Sequence, residues 1–527
     1  MDRKFLLTAL VFLLFLTGYN QFVVIPRMQK QQQAAQAELA KTEQELAAAS
    51  ATPVAKVQST SAPEELISFQ APTADITFSS KGAGIKEFLF KDVLGNVDLT
   101  PYKGQGYFAT FPQLDFREAK RTRDSITFKA QVMPGVEMLK TYQFQDNTIN
   151  QLLITFKNNT NSEVVLPKFD FNFGPGLSTV KSELSDNERE SKAVYLIQEE
   201  GKRNPTLVKF TPKDTSPASG KDWMWAGVEN RYFLSVLIPQ GWTAGTLQTR
   251  KEIVTTKRRL WGLMGDADVE GPQLSIDVPT QTVPAKGTLE LNSDFYFGPK
   301  DYQLFEKLPY HLGRSIEFGF FGALGRLARN VLELFYSWTG NYGVAIIMLT
   351  VLLQAILFKF TQMSLKSGAQ MKKVQPEMKR LQEKYKGNPD QLNREMLALY
   401  QKHHINPLAG CLPLLIQLPI FLALFNALRT SWSLHGAKFI WWITDLSSKD
   451  PYYILPILMG AVMYFQQRST MPAGMDQAQA AMFKYMPVIF TLLFMNFPSG
   501  LVLYWLTNSL ITFGIQTLVN RKIAKAN

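Results

Sequence analysis

Hydrophobic and polar positions are distributed unevenly along this chain. A charged start, Met1-Asp-Arg-Lys, leads into an apolar run from Phe5 to Ile25, about the 20 residues that cross a bilayer and longer than a usual signal core. No small-residue cleavage site follows directly; the nearest A-x-A, Ala35-Gln36-Ala37, comes after Pro26, Arg27 and Lys30. Residues 1–28 are therefore expected to be an uncleaved anchor with a cytoplasmic N-terminus, in preference to a signal peptide. Residues 29–63, rich in Gln, Ala, Glu, Ser and Thr, read as a linker or frayed helix that builds no core.

From 64 to 310 the runs become short and alternating. SITFKAQV (Ser125 to Val132), LKTYQFQ (Leu139 to Gln145) and INQLLITFKN (Ile149 to Asn158) place β-branched and aromatic residues on alternate positions between Gly, Pro and Asn turns. KFDFNFG and NRYFLSVLIP repeat the pattern. This predicts an antiparallel β-sandwich, extracytoplasmic if the N-terminus is inside. Within 311–340, Phe318 to Gly340 carries Leu324, Leu327, Val331, Leu332, Leu334 and Phe335 with Arg326, Arg329 and Asn330 between them. That spacing suits an amphipathic helix lying in the membrane interface with its charges toward headgroups, or one packed on the rest of the protein.

Five more apolar spans follow. Val344 to Thr361, within 341–361, is the second of the chain; Leu408 to Leu428, Tyr452 to Tyr464, Met486 to Phe497 and Leu501 to Val519, within 406–519, are the third to sixth. Between the second and third, residues 362–405 are basic. There Met371, Val374, Met378, Leu381 and Tyr385, then Leu392, Met396 and Leu399, recur at helical spacing around a Gly387-Asn388-Pro389-Asp390 turn. This predicts a helical hairpin. It serves either as a plain connector or, through Lys372, Lys373, Lys379, Arg380 and Lys384, as a docking surface for RNA or a ribosome. Residues 520–527 add Arg521, Lys522 and Lys525. Basic short loops favour the cytoplasm, so both termini belong inside. The fold class is a polytopic α-helical membrane protein of six spans with a five-helix core, a large extracytoplasmic antiparallel β-sandwich and a cytoplasmic hairpin.

Composition narrows the function. The 527 residues carry 56 Lys and Arg against 44 Asp and Glu, a net charge of +12. The excess lies beside apolar spans and not in an aromatic-interleaved patch, so it reports topology and attraction to anionic lipids. The single cysteine, Cys411, excludes a disulfide framework and reads as a small hydrophobe. There is no glycine-rich phosphate loop, no GxSxG and no HExxH, and the spans contain no Asp or Glu. His403 and His404, neighbours about 100° apart on a helix, make poor joint metal ligands. No enzyme, metal or cofactor is expected.

The spans hold uncharged polarity: Thr350 and Gln354 in the second, Gln417 in the third, Thr491 in the fifth, and Tyr504, Thr507, Asn508, Ser509, Thr512 and Gln516 in the sixth. Taken singly, each reads as a bond between helices. Together with Pro413 and Pro419, which free backbone carbonyls, they suggest polar inner faces around a wet cavity.

The strings NPLAGCLPLLIQLPIFLAL (Asn406 to Leu424), DPYYILPILMG (Asp450 to Gly460), MPVIFTLLF (Met486 to Phe494) and FPSGLVLYW (Phe497 to Trp505) resemble the YidC/Oxa/Alb family of membrane-protein insertases in its long bacterial form. GNYG (Gly340 to Gly343) and QPEM (Gln375 to Met378) are weaker echoes. The resemblance implies a hydrophilic groove, open to cytoplasm and lipid and closed on the periplasmic side. A substrate's polar segment would enter it while an apolar segment slides along the third and fifth spans. It carries substrate contact onto Cys411, Pro413, Leu418, Pro419, Tyr504 and Trp505, beside the polar Thr350, Gln354, Gln417 and Asn508. It also implies an inner-membrane location with a periplasmic domain, and as partners nascent membrane proteins and the Sec translocon, beside the ribosome that the basic hairpin and tail would meet if they dock one. The family's groove arginine aligns with Gln354, and Lys359 is displaced about 140° around the helix. A transporter, or a ligand-binding β domain on a mere anchor, are the readings from other classes.

Overall fold

The structure, a computed structural model, describes residues 62–525 except 101–105, 147–148, 185, 200, 211–222, 243–244, 261–262, 386, 404–411 and 471–476. The expected anchor, nearly all of the linker, Cys411 and His404 lie outside the described residues. The chain forms two compact units, divided after Ile316.

The first unit is antiparallel throughout its strand pairings. A nine-stranded sheet runs in the order Thr206–Phe210, Lys192–Ile197, Trp223–Glu229, Phe233–Gln240, Thr288–Pro299, Asn150–Asn158, Val136–Gln143, Ser125–Met133, Arg117–Arg121. Alternation buries one side chain in two: Ile126, Phe128 and Ala130 point into the core while Lys129 and Gln131 face out. A four-stranded sheet, Leu66–Gln70 to Val97–Asp98, covers this face. Phe78 of that layer sits between Phe128 and Tyr142 at 5.1 and 4.9 Å, and Phe88 stacks on Phe297 at 4.1 Å. The expected strand at Leu139 begins earlier, at Val136. Gly135, with φ +76°, closes a two-residue turn that pairs Val136 with Met133.

Buried charge is tied down. Lys140, fully buried, donates to the Gly82 carbonyl at 3.0 Å, the Thr110 hydroxyl at 3.2 Å and the Phe108 carbonyl, pinning residues 108–111 to the sheet. Lys300 pairs with buried Glu229 at 2.7 Å and donates to the Ser315 carbonyl at 3.1 Å, fixing the exit of the domain.

The second unit is helical. Its elements are α1 (Gly322–Thr339), α2 (Tyr342–Lys384), α3 (Pro389–Lys402), α4 (Leu412–Arg429), α5 (Ile454–Thr470), α6 (Gln477–Phe494) and α7 (Ser499–Lys525). Gly340, at φ +64°, ends α1, and the Asn341 side chain caps α2 by accepting from Gly343 and Val344 N–H. One expectation is extended here and one is corrected. The helix of the second span runs on past 361: α2 is 43 residues long in all and carries on as the hairpin's first arm, with Pro376 inside it. Gly368 does not interrupt it, and α3 supplies a partner whose Leu399 is buried, as is Val374. Arg329 does not face headgroups. It is buried on α1 with Ala328, Leu332 and Phe335, 3.7 Å from Glu333, and donates to Ser433 at 3.3 Å, while Tyr342 donates to Glu333 at 2.9 Å. A polar network held by its own partners can be buried where a lone arginine could not.

Among the described residues, Tyr342–Ser364 and Ser499–Arg521 are long and apolar enough to cross a membrane, and Gln417–Arg429 and Lys484–Phe494 are shorter apolar stretches. Large apolar side chains crowd the outer faces: Ile356 and Phe360 on α2, Ile457 and Phe465 on α5, Ile489 and Leu492 on α6, Leu510 and Leu518 on α7 are all exposed. A belt of that extent suits lipid, not water.

Candidate functional site

The helical unit is organised around α7. Tyr504 and Asn508, one turn apart, share a face, and each meets a polar residue of a different neighbour. Gln417 on α4 donates to the Tyr504 hydroxyl at 2.6 Å, and Gln354 on α2 donates to Asn508 Oδ1. Two turns on, Gln516 donates to the Gln466 carbonyl of α5 at 3.4 Å. Such pairs form because a lone amide in hydrocarbon loses its water and must find protein. Gln354 is 5% exposed, and its Oε1 has no hydrogen-bond partner among the described residues, so one acceptor at this depth is unused. Thr350, one turn away, is fully buried and satisfied by the Ile346 carbonyl at 2.7 Å.

The polar pairs have an aromatic boundary. Trp505 meets Phe421 of α4 edge-on at 5.0 Å and Phe494 of α6 at 5.3 Å. Leu418 is exposed on α4, with Pro419 half-buried beside it. Thus Gln354, Thr350, Gln417, Tyr504 and Asn508 lie along the α2–α7–α4 contact, whereas Leu418 opens outward. Pro413 lies in the first turn of α4 and Lys372 and Lys373 on α2, with their side chains outside the described set. Lys379, Arg380 and Lys384 are exposed on the last turns of α2, well removed in sequence from this cluster. His403 approaches Glu377 at 3.4 Å.

Residues 430–453 form a cap that the apolar pattern did not predict. Asp445 accepts from Gly436 N–H at 3.1 Å, Ser447 N–H at 2.9 Å and the Ser447 and Ser448 hydroxyls at 2.7 and 2.5 Å. Asp450 accepts from Trp442 Nε1 at 3.1 Å and from Tyr452 and Leu455 N–H at 3.0 and 2.7 Å, capping α5. The start of α7 is sewn to the same loop, since Ser499 and Gly500 N–H donate to the Ser448 and Leu446 carbonyls at 2.7 and 2.9 Å. Asn341 Nδ2 adds a bond to the Phe439 carbonyl at 3.1 Å. One end of the bundle is thereby closed by a hydrogen-bonded plug, with Trp338, Trp441 and Tyr452 exposed around it as at a membrane–water boundary. The sequence signal was the Asp450-Pro451 turn before an apolar run. A second missed contact joins α5 and α6, where a Cβ on Gly460 would lie 2.0 Å from Thr491 Oγ1.

Residues 94–327 match the family described as YidC periplasmic domain, and residues 334–526 match the 60Kd inner membrane protein family. The membrane protein insertase YidC of Endomicrobium trichonymphae is 36% identical over 473 residues, 88% of this chain and 86% of that one. The protein of the same description from Geobacter sulfurreducens is 42% identical over 304 residues, 58% of this chain and 54% of its own length. Among solved structures, an active YidC insertase with its first transmembrane domain resolved aligns over 88% of this chain and 94% of that one, at 19% identity and a TM-score of 0.38. A helical unit with paired polar faces, following an antiparallel β domain, thus has relatives along nearly its whole length, and the chain belongs to the YidC family of membrane protein insertases.

Proposed function

We propose that this insertase receives the polar segment of a nascent membrane protein against the α2–α7–α4 face, while an apolar segment passes along α4 and α6 into lipid. The observation that carries the reading is the buried Gln354, paired with Asn508 through its amide yet with Oε1 unused. An uncharged acceptor held at span depth replaces water around a crossing polar tail and needs no nucleotide. The hydrogen-bonded plug of residues 430–453 makes the face one-ended, so a tail that enters from the opposite, hairpin-bearing end is held rather than leaked. Pro419 and exposed Leu418 on α4 give the apolar segment an exit beside the polar pairs.

In this reading the chain crosses the inner membrane six times with both termini cytoplasmic, and residues 64–310 are periplasmic. The basic turns of Lys379, Arg380 and Lys384 meet the ribosome, and larger substrates are handed over from the Sec translocon. The test is reconstitution. Purified protein in liposomes should bring a short single-span substrate to a protease-protected state above empty vesicles. Failure of the protein to exceed empty vesicles, with Gln354→Arg equally inactive, would overturn autonomous insertion.

A further inference from the structure

One end of the β domain is marked by the point where the chain leaves it. Lys300 N–H donates to the Tyr232 carbonyl at 2.7 Å, the Lys300 ammonium donates to the Ser315 carbonyl at 3.1 Å, and the domain closes at Ile316, shortly before α1 begins. Two other features belong to this end. Strand Ile85–Phe90 runs toward it, since Phe88 stacks on Phe297 and Phe90 meets Phe233, the strand partner of Pro299, at 5.9 Å. The turn that follows is fixed by Leu94 and Gly95 N–H, which donate to Asp92 at 3.2 and 3.1 Å, and it leaves Val93 83% and Leu94 50% exposed.

The second feature is a ribbon. Strands Phe169–Phe173, Leu263–Val278 and Leu247–Leu260 form a three-stranded sheet, but Phe169–Phe173 pairs only with Leu274–Val278. Past that point the two long strands continue by themselves, paired without a break from Arg250–Gln273 to Leu260–Leu263, and among the described residues no third strand joins them. They leave the sheet at the exit end. Gly176 N–H donates to the Pro272 carbonyl at 2.7 Å, and Ser178 of the same loop accepts from the Asn230 amide at 2.7 Å, two residues before Tyr232. From Glu252–Gly271 outward the ribbon is about 26 Å long at roughly 3.3 Å per residue. Two strands with no sheet beneath them are marginal in water, so the far end gains by meeting a surface.

We infer that the far end of this ribbon seats in the bilayer interface, on anionic phospholipid. The register supports that occupant. Arg259 stands opposite Met264 and Arg258 opposite Gly265, so neither has a carboxylate across the ribbon, and the sequence at the far end reads Leu260-Trp261-Gly262-Leu263-Met264. Apolar and aromatic residues backed by two arginines match the layering of a lipid surface, where acyl chains lie beneath phosphates. The carboxylates lie farther back. Asp266 is opposite Lys257, while Asp268 and Glu270, opposite Thr255 and Ile253, are about 17 and 23 Å from the last rung, beyond the ~8–10 Å over which salt leaves charge effective. Val93 and Leu94, uncovered at the same end, suit the same surface. The β domain is thereby tied to the membrane twice, by the chain past Ile316 and by the ribbon.

The experiment places the environment-sensitive fluorophore NBD on Leu263→Cys, and separately on Leu260→Cys, in the full chain carrying Cys411→Ser. The protein is held in nanodiscs of zwitterionic lipid alone or mixed with phosphatidylglycerol. Lipid with a nitroxide near its headgroup quenches a probe in the interface, and acrylamide quenches one in water. Both ribbon probes should be quenched by the lipid nitroxide and shielded from acrylamide, more so with phosphatidylglycerol, whereas a probe on Lys120→Cys, in the exposed strand Arg117–Arg121, should show the reverse. Arg258→Ala and Arg259→Ala should each lower the ratio of seated to water-exposed probe by about fivefold in the anionic discs, with unchanged thermal midpoints showing that the variants fold. Acrylamide access at both ribbon positions in both lipids would overturn the inference. So would probes shielded from both quenchers, which mark a protein contact such as a second copy, or arginine variants seated as firmly as the parent.

Discussion

Gln417 on α4 and Tyr504 on α7 are joined by a 2.6 Å hydrogen bond, with the phenol oxygen as acceptor and Tyr504 itself buried. This bond fixes the separation of the two helices on which the proposed exit route lies. Tyr504→Phe removes the acceptor and strands an amide in an apolar setting. The expected cost is about 1 kcal/mol, in the range of interhelical bonds in membranes, read as a lower thermal midpoint in detergent. Insertion should fall with it, and an unchanged midpoint would show that the pair does not hold the helices.

Gln354 gives the polar face an acceptor and a donor but no charge. Gln354→Arg should accelerate insertion of substrates with acidic translocated tails, and leave neutral tails unaffected. A charge contact in a partly wet site is worth about 1 kcal/mol, or roughly fivefold in rate. Protease protection of paired acidic and neutral substrates measures the ratio. Equal acceleration of both would remove charge preference from this position.

Gly460 lets α5 approach α6 so closely that a methyl group would meet Thr491 Oγ1, which now donates to the Pro487 carbonyl at 2.7 Å. Gly460→Ala should force Thr491 aside and destabilise the unit by about 1–3 kcal/mol, as overpacking does. The double variant Gly460→Ala/Thr491→Ala removes the obstructing hydroxyl and should recover most of the loss. Additive losses would show that the two residues do not share one space.

Lys140 binds its proton less readily in the folded protein than in the unfolded chain, because complete burial penalises its charge. Between that depressed value and 10.5 the unfolded chain holds more protons, so this group makes stability rise with pH up to about 10.5. Hydrogen exchange of the Phe108–Thr110 segment between pH 8 and 10, corrected for intrinsic rate, should show growing protection. Lys140→Met should abolish the slope.

How far the sequence reached depended on whether a feature was local. The alternation of Ser125–Met133 and Asn150–Asn158 was legible because one buried face repeats every second residue. The apolar runs of α2, α4, α6 and α7 were legible because hydrocarbon demands continuous apolarity. Four family strings and the polar positions Gln354, Gln417, Tyr504 and Asn508 were also visible without coordinates.

The pairing of those positions was not legible, since Gln354 meets Asn508 across a separation of 154 residues and Gln417 meets Tyr504 across 87. No periodicity encodes a partner on another helix. Arg329 shows the same limit from the other side: its charge pointed to headgroups, and only Glu333, Ser433 and Tyr342, brought together by α1, α2 and the cap, made burial tolerable. The polar face of the three-stranded sheet belongs to this class too, because FDFNF and QLSID declare alternation, while the register that aligns Asn172, Ser275 and Gln248 is set by packing of the opposite, apolar face. Sequence determined which segments are continuously apolar and which alternate, through hydrophobic periodicity. Tertiary structure decided which polar groups meet, because a hydrogen bond depends on atoms placed to a few tenths of an ångström by everything packed around them.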